Sequence, residues 1–206
     1  MAVISNTTTI IDAGALDSGV ATGAMTLIKT LTASSSGTLS FVNGASNVVL
    51  DGTYKEYLFK IINIHPSTSA SFTVGFRDGS TAYDAIKTTS YFRAYQQENG
   101  GGAVLAYDAG FDHAQQTAFQ DLTADSVISD ADSGISGILH LYDPSSTTFV
   151  KHFMANINSI KAGSPPEMKN SYSAGYCNVT AAIDAVQFKM DSGNMDSGTI
   201  KLYGIK

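Results

Sequence analysis

The chain has 206 residues, 43% of them hydrophobic and 15% charged, with a formal net charge of −6 and an isoelectric point near 5.0. That acidic balance argues against nucleic acid, whose phosphates call for Lys and Arg, and against an anionic membrane surface. No apolar run reaches the roughly 18 residues that span a bilayer, no basic-then-apolar secretory signal opens the chain, and a single cysteine, Cys177, allows no intrachain disulfide. Synthesis in the cytoplasm of the producing cell is the expectation. The charged fraction falls well below the roughly 25% usual in soluble domains. Hydroxyls fill the gap, in runs such as Thr7-Thr8-Thr9 and Ser145-Ser146-Thr147-Thr148. Such a surface suits β-sheets and a protein that packs against copies of itself, since few long charged side chains must be immobilised.

Residues 1–24 hold no Lys, Arg or aromatic residue, only small residues with apolar knots at Val3-Ile4, Ile10-Ile11 and Leu16. They read as an extended N-terminal arm whose knots dock on a neighbouring subunit or shell. The folded domain then spans 25–206. Strands are predicted over 25–31, 37–42, 55–65 with Pro66 as stop, 71–76, 88–95 and 104–107. The segment 115–123 reads as a helical turn or a loop. Further strands follow at 137–142, 147–157, 171–178, 182–190 and 199–204, with Asp143-Pro144-Ser145-Ser146 joining two of them as a hairpin loop. In the strand from Thr147, Phe149, Phe153, Ala155 and Ile157 share the core face. Lys151 lies on that face too and is expected near an exposed edge. About ten strands at sandwich-like spacing, with no amphipathic helix between them, give an all-β fold: a jelly-roll-like antiparallel β-sandwich.

No catalytic, cofactor or metal site emerges. His140 and His152 share a face if Tyr142 pairs with Thr148 and could bind a metal with an added carboxylate, although two partly buried polar residues at a subunit contact is the simpler reading. Asp130-Ala131-Asp132-Ser133-Gly134 begins like a calcium loop, yet His140 stands where the bidentate Glu belongs. Asp191 and Asp196 flank a turn rather than a cleft. Gly100-Gly101-Gly102 lacks the Lys and Ser/Thr of a phosphate loop, and no G-x-S-x-G elbow is present. Cys177 has no neighbouring His and reads as a small buried residue beside Tyr176. Loop-proximal Tyr83, Tyr91, Tyr95 and Tyr107 could stack on sugars, although core or interface packing explains them equally well.

The stretches ISNTTTIIDAGALDSG (4–19), MTLIKTLTASSSGTLSFVNG (25–44), EYLFKIINIHPST (56–68), KTTSYFRAY (87–95), GILHLYDPSSTTFVKHFMA (137–155) and the ending AIDAVQFKMDSGNMDSGTIKLYGIK together resemble small virion structural proteins of tailed bacteriophages, cyanophages among them. The resemblance implies a non-enzymatic β-sandwich on the outer surface of a virion, made in the host bacterial cytoplasm. The expected role is a capsid decoration or cement protein that clusters, as a homotrimer, over junctions of the major capsid protein or another virion protein. The alternative is a tail-fibre, tail-tip or receptor-binding module for host surface glycan. Neither role implies a cofactor.

Overall fold

A computed structural model describes residues 23–161 and 163–206 in full, together with the backbone of residues 3–5, 8–12 and 15–16. The chain is all-β. Its strands are β1 (Val3–Ser5), β2 (Thr8–Asp12), β3 (Ala15–Leu16), β4 (Met25–Thr32), β5 (Leu39–Val42), β6 (Glu56–Pro66), β7 (Phe72–Arg77), β8 (Lys87–Gln97), β9 (Ala103–Tyr107), β10 (Gln120–Asp121), β11 (Ile135–Tyr142), β12 (Lys151–Lys161), β13 (Glu167–Cys177), β14 (Ala185–Met190) and β15 (Met195–Ile205). All pair antiparallel. They form a four-stranded sheet, β10-β7-β14-β5, and an eight-stranded sheet, β4-β15-β6-β11-β12-β13-β8-β9. The segment 115–123, expected to be a helical turn or a loop, is a loop that carries the two-residue strand β10, and a short 3-10 turn at Ala109–Phe111 lies before it.

Aromatic rings join the sheets. Phe188 of the smaller sheet stacks on Phe72 at 5.7 Å and meets Phe59 of the larger sheet at 5.4 Å. Phe59 also meets Phe41 edge-on at 5.3 Å, and Phe76 reaches across to Phe153 at 4.8 Å. Strand alternation places these rings on the inner faces, and their burial is the main force closing the sandwich. Each of the six is fully buried.

Within the expected arm, β1, β2 and β3 pair in that order, with Val3 opposite Ile11, Ile4 opposite Thr9 and Ile11 opposite Leu16. Among the described residues these strands join neither sandwich sheet. The knot residues Val3, Ile4, Ile10, Ile11 and Leu16 are therefore placed by backbone only, and the rest of residues 1–22 lies outside the described residues.

Two local expectations are corrected. The strand predicted from Thr147 starts at Lys151, because the Ser146 hydroxyl accepts the backbone N–H groups of Thr148 (3.3 Å) and Phe149 (3.0 Å) and holds a turn there. Phe149 consequently points outward, 70% exposed, rather than into the core. Lys151 does lie on the inner face but is fully buried. Its ammonium donates to the carbonyl oxygens of Phe149 (3.1 Å) and Val179 (2.8 Å), so it needs no exposed edge.

Candidate functional site

In a sandwich the inner faces are normally the apolar ones. In β13 that order is reversed. Lys169, Ser171 and Ser173 face inward, while Met168, Tyr172, Ala174 and Tyr176 face outward. Its neighbour β8 turns Lys87 and Thr89 inward and Phe92 outward. The inward polar groups are covered by the segment that follows β9. Gln120 and Thr123 are fully buried there. The Thr89 hydroxyl donates to Gln120 Oε1 (2.7 Å), and the Phe72 N–H donates to Thr123 Oγ1 (3.0 Å).

Asp125 anchors this cover. Its Oδ2 accepts from Arg93 Nη1 at 2.7 Å and from Lys169 Nζ, with Lys161 Nζ at 3.5 Å. Burial pushes the Asp125 carboxyl up, but the Lys169 hydrogen bond and the Lys169, Lys161 and Arg93 charges outweigh it and hold the group below its ordinary value. Arg93 Nε also lies 3.1 Å from Asp108 Oδ2, close enough for an ion pair but without hydrogen-bond alignment. The hydroxyls of Tyr91, Ser171 and Ser173 are buried without a hydrogen-bond partner.

The reversal adds Phe92, Met168 and Tyr172 to an apolar outer face that other strands share. Among the described residues ten large hydrophobics are exposed, and Met25, Leu27, Phe92, Leu105, Tyr107, Met154 and Met168 all lie on the outer side of the eight-stranded sheet. Strand register sets them in rows. Leu27, Tyr203, Leu58, His140, Met154 and Ala174 follow one another across β4, β15, β6, β11, β12 and β13. Asn156, Tyr172, Phe92 and Tyr107 form a parallel row, in which the Tyr172 and Phe92 rings stack at 4.7 Å and 8°.

Met154 separates two shallow depressions. One, about 430 Å³, is lined by Tyr142, His152, Met154, Ala174, Gly175 and Tyr176. The other, about 220 Å³, is lined by Ile138, His140, Tyr142, Met154, Asn156 and Tyr172. Lys60 and Lys201 stand opposite each other across β6 and β15 on the same face.

His140 and His152 do share this face, although the hairpin register differs from the one expected, with His140 opposite Met154 and Leu141 opposite Phe153. Each ring has its own partner. His140 Nδ1 lies 2.5 Å from Glu56 Oε1, and His152 packs against Tyr176 at 5.8 Å. Among the described residues no His, Cys, Asp or Glu cluster could hold a metal ion.

The acidic motifs serve the backbone: Asp130 closes a local turn, whereas Asp191 and Asp196, the latter inside β15 rather than beside a turn, tie segments distant in sequence. Ser133 donates to the Asp130 carbonyl (2.8 Å), Asp191 Oδ1 accepts the Ser71 N–H (2.9 Å) and Asp196 Oδ1 accepts from Ser35 (3.3 Å). Cys177 is fully buried between Lys151 and Lys87 in one cross-strand row, and burial pushes its thiol up to about 12.

The four tyrosines proposed for glycan contact do not converge. Tyr91 is fully interior and presents no ring face to solvent, so it is removed from that set. Tyr83 packs beside Phe119 under the Arg77 guanidinium. Tyr95 carries the Lys169 ammonium 5.8 Å from its ring centre, and Tyr107, 65% exposed, donates to Asp112. Only Tyr107 lies on the apolar outer face. Alternation along the strand from Thr147 already sets Met154 opposite the core face, whereas Tyr172 and Phe92 escaped the sequence reading because alternation cannot say which side of a strand is inside.

The fold and face thus define an all-β sandwich with one open, apolar sheet surface. Comparison with family models, with curated proteins and with solved structures finds no match for this chain.

Proposed function

We propose that this chain is a non-enzymatic structural protein that works by surface burial, and that it decorates the outside of a phage head. The observation that carries the reading is the reversed β8–β13 region. A protein that acts alone in water has reason to turn Phe92 and Tyr172 inward and the serines outward, whereas one that covers this face with a partner does not. The face is nearly flat, which suits a protein surface better than a small substrate. Lys60 and Lys201 give it a basic spot, suited to a partner presenting an apolar surface with a carboxylate. Partner and copies are then a shell protein and further copies of this chain, clustered once bound to the shell as the homotrimer that the resemblance implies, with residues 1–24 as the lacing arm.

The chain path supports the same reading. After β4 it alternates between sheets: β5, β7, β10 and β14 enter the smaller sheet, and β6, β8–β9, β11–β13 and β15 enter the larger. We read this as jelly-roll-like, with one strand of the larger sheet expanded into the three-strand meander β11–β13. That architecture is common in viral capsid and lectin domains.

The test is the copy number per virion, by quantitative mass spectrometry against the major capsid protein. Hundreds of copies are expected. A few to a few tens would move the protein to the tail or a vertex, where the glycan-binding alternative applies, and absence from purified virions would overturn the reading. Met154→Lys combined with Phe92→Lys is expected to abolish particle occupancy while leaving the sandwich folded.

A further inference from the structure

The eight-stranded sheet ends at β9, Ala103-Val104-Leu105-Ala106-Tyr107. A free sheet edge is normally blunted by Lys, Pro or a covering loop, because its open N–H and C=O groups template pairing with another chain. Among the described residues this one has no such guard. It contains no charge and no proline, and Leu105 and Tyr107 are 75% and 65% exposed.

The hydrogen-bond phase shows which groups are open. The Gln97 N–H donates to the Gly102 carbonyl (2.9 Å), and the Asp108 N–H donates to the Tyr91 carbonyl (3.0 Å). With Tyr95 opposite Val104 and Arg93 opposite Ala106, the residues at 102, 104, 106 and 108 bond inward to β8. Ala103, Leu105 and Tyr107 therefore aim their backbone groups away from the sheet, and among the described residues no backbone partner takes them.

We infer that β9 pairs antiparallel with β9 of a second copy, about a two-fold axis through Leu105. In that register Leu105 faces the second copy's Leu105, and Ala103 faces its Tyr107, so about six interchain backbone hydrogen bonds satisfy all three open residues on each chain. The nearest acidic residue, Asp108, then falls opposite Gly102, and no like charges meet. Side chains of Ala103, Leu105 and Tyr107 project to the outer side with Phe92, so the pairing carries the apolar outer face of one copy into the next without a break. A second copy fits better than a foreign strand because the segment is uncharged and matches itself about its own centre.

The contact is small. A five-residue strand pair buries much less than the roughly 800 Å² per partner of a stable complex. Dissociation constants of roughly 10 µM to 1 mM are expected, which become effective only among many copies held together. This inference stands apart from where on a particle the protein sits.

The experiment is sedimentation equilibrium of the full chain up to about 1 mM, on wild type, Leu105→Lys, Leu105→Glu and an equimolar mixture of the two variants. Wild type is expected to rise from 21.6 kDa toward twice that mass. Each variant alone stays monomeric, because the axis sets like charges face to face, and the mixture associates again. That recovery also shows that both variants are folded. A wild type that stays monomeric overturns the inference, as does a mixture that fails to recover. Association that survives unchanged in both single variants also overturns it, while leaving the outer-face reading intact.

Discussion

Replacing Asp125 by Asn takes the counter-charge from three cations at once, and the outcome is decided by how deeply each is buried. The Lys169 side chain is 1% exposed, Arg93 21% and Lys161 37%. Lys161 rehydrates at little cost. Lys169 cannot, and its remaining anion is Glu167, whose Oε2 lies 3.6 Å away. Breaking a buried pair by removing one partner costs about 3–5 kcal/mol. Asp125 is itself 32% exposed, and Glu167 recovers part of the loss, so about 2–4 kcal/mol is expected.

For a chain of this size that lowers the melting temperature by roughly 5–12 °C. The assay is urea unfolding at pH 7 with matched thermal melts. The loss must also depend on pH. The folded carboxyl titrates below its ordinary value, so its contribution is complete above about pH 4 and disappears as pH falls through the folded value. Wild type and Asp125→Asn therefore converge in acid. Adding Lys169→Met to Asp125→Asn is expected to recover much of the loss by removing the stranded charge. An Asp125→Asn protein within ~0.5 kcal/mol of wild type at pH 7 would refute the assignment of Asp125 as the anchor of the cover.

Asp121 has the opposite sign. Burial, with Asp191 adding to it and His113 opposing, pushes its carboxyl up to about 6. Its penalty is absent below about pH 4, grows as pH rises to 6 and is complete above. Asp121→Asn is expected to raise the urea midpoint by roughly 2 kcal/mol equivalent at pH 8 and by nothing at pH 4, and equal shifts at both values would sink the idea. Cys177, buried and held as the thiol, is expected to resist iodoacetamide in the native protein and to be alkylated fully in urea; rapid native labelling read by mass spectrometry would contradict the burial. Gly75 lies under the Phe119 ring, where an added Cβ would come within 2.6 Å, and Lys189 sits 4.3 Å above that ring centre. Gly75→Val is expected to lift Phe119 and cost about 1–3 kcal/mol, visible as faster amide exchange around residues 117–121.

Most strands could be read from the sequence because alternation is local. Glu56–Pro66 is rich in aromatic and Ile residues and ends at its proline, as expected, whereas the final strand alternates from Ile200 but begins at Met195, so Asp196, Ser197 and Gly198, expected as a turn, belong to the strand. The turn after Asp143 could also be read, but its length could not: Ser146 captures two backbone N–H groups and delays β12 to Lys151. Composition also favoured a hydroxyl-rich, self-packing β protein over a nucleic-acid binder.

Only the tertiary structure decided which side of each strand is inside. In Glu167–Cys177 the larger side chains alternate with serines, and a sequence-based choice would bury the tyrosines. The fold instead buries Lys169, Ser171 and Ser173 beneath a non-local cover, whose Asp125 pairs with Lys169 and whose Gln120 accepts from Thr89 on the neighbouring strand. The same choice exposes Phe92 and Tyr172, which extend the surface that Met154 begins on β12. Period two fixes which residues share a face; which face meets the second sheet depends on partners far away along the chain, and that pairing is formed only in the folded molecule.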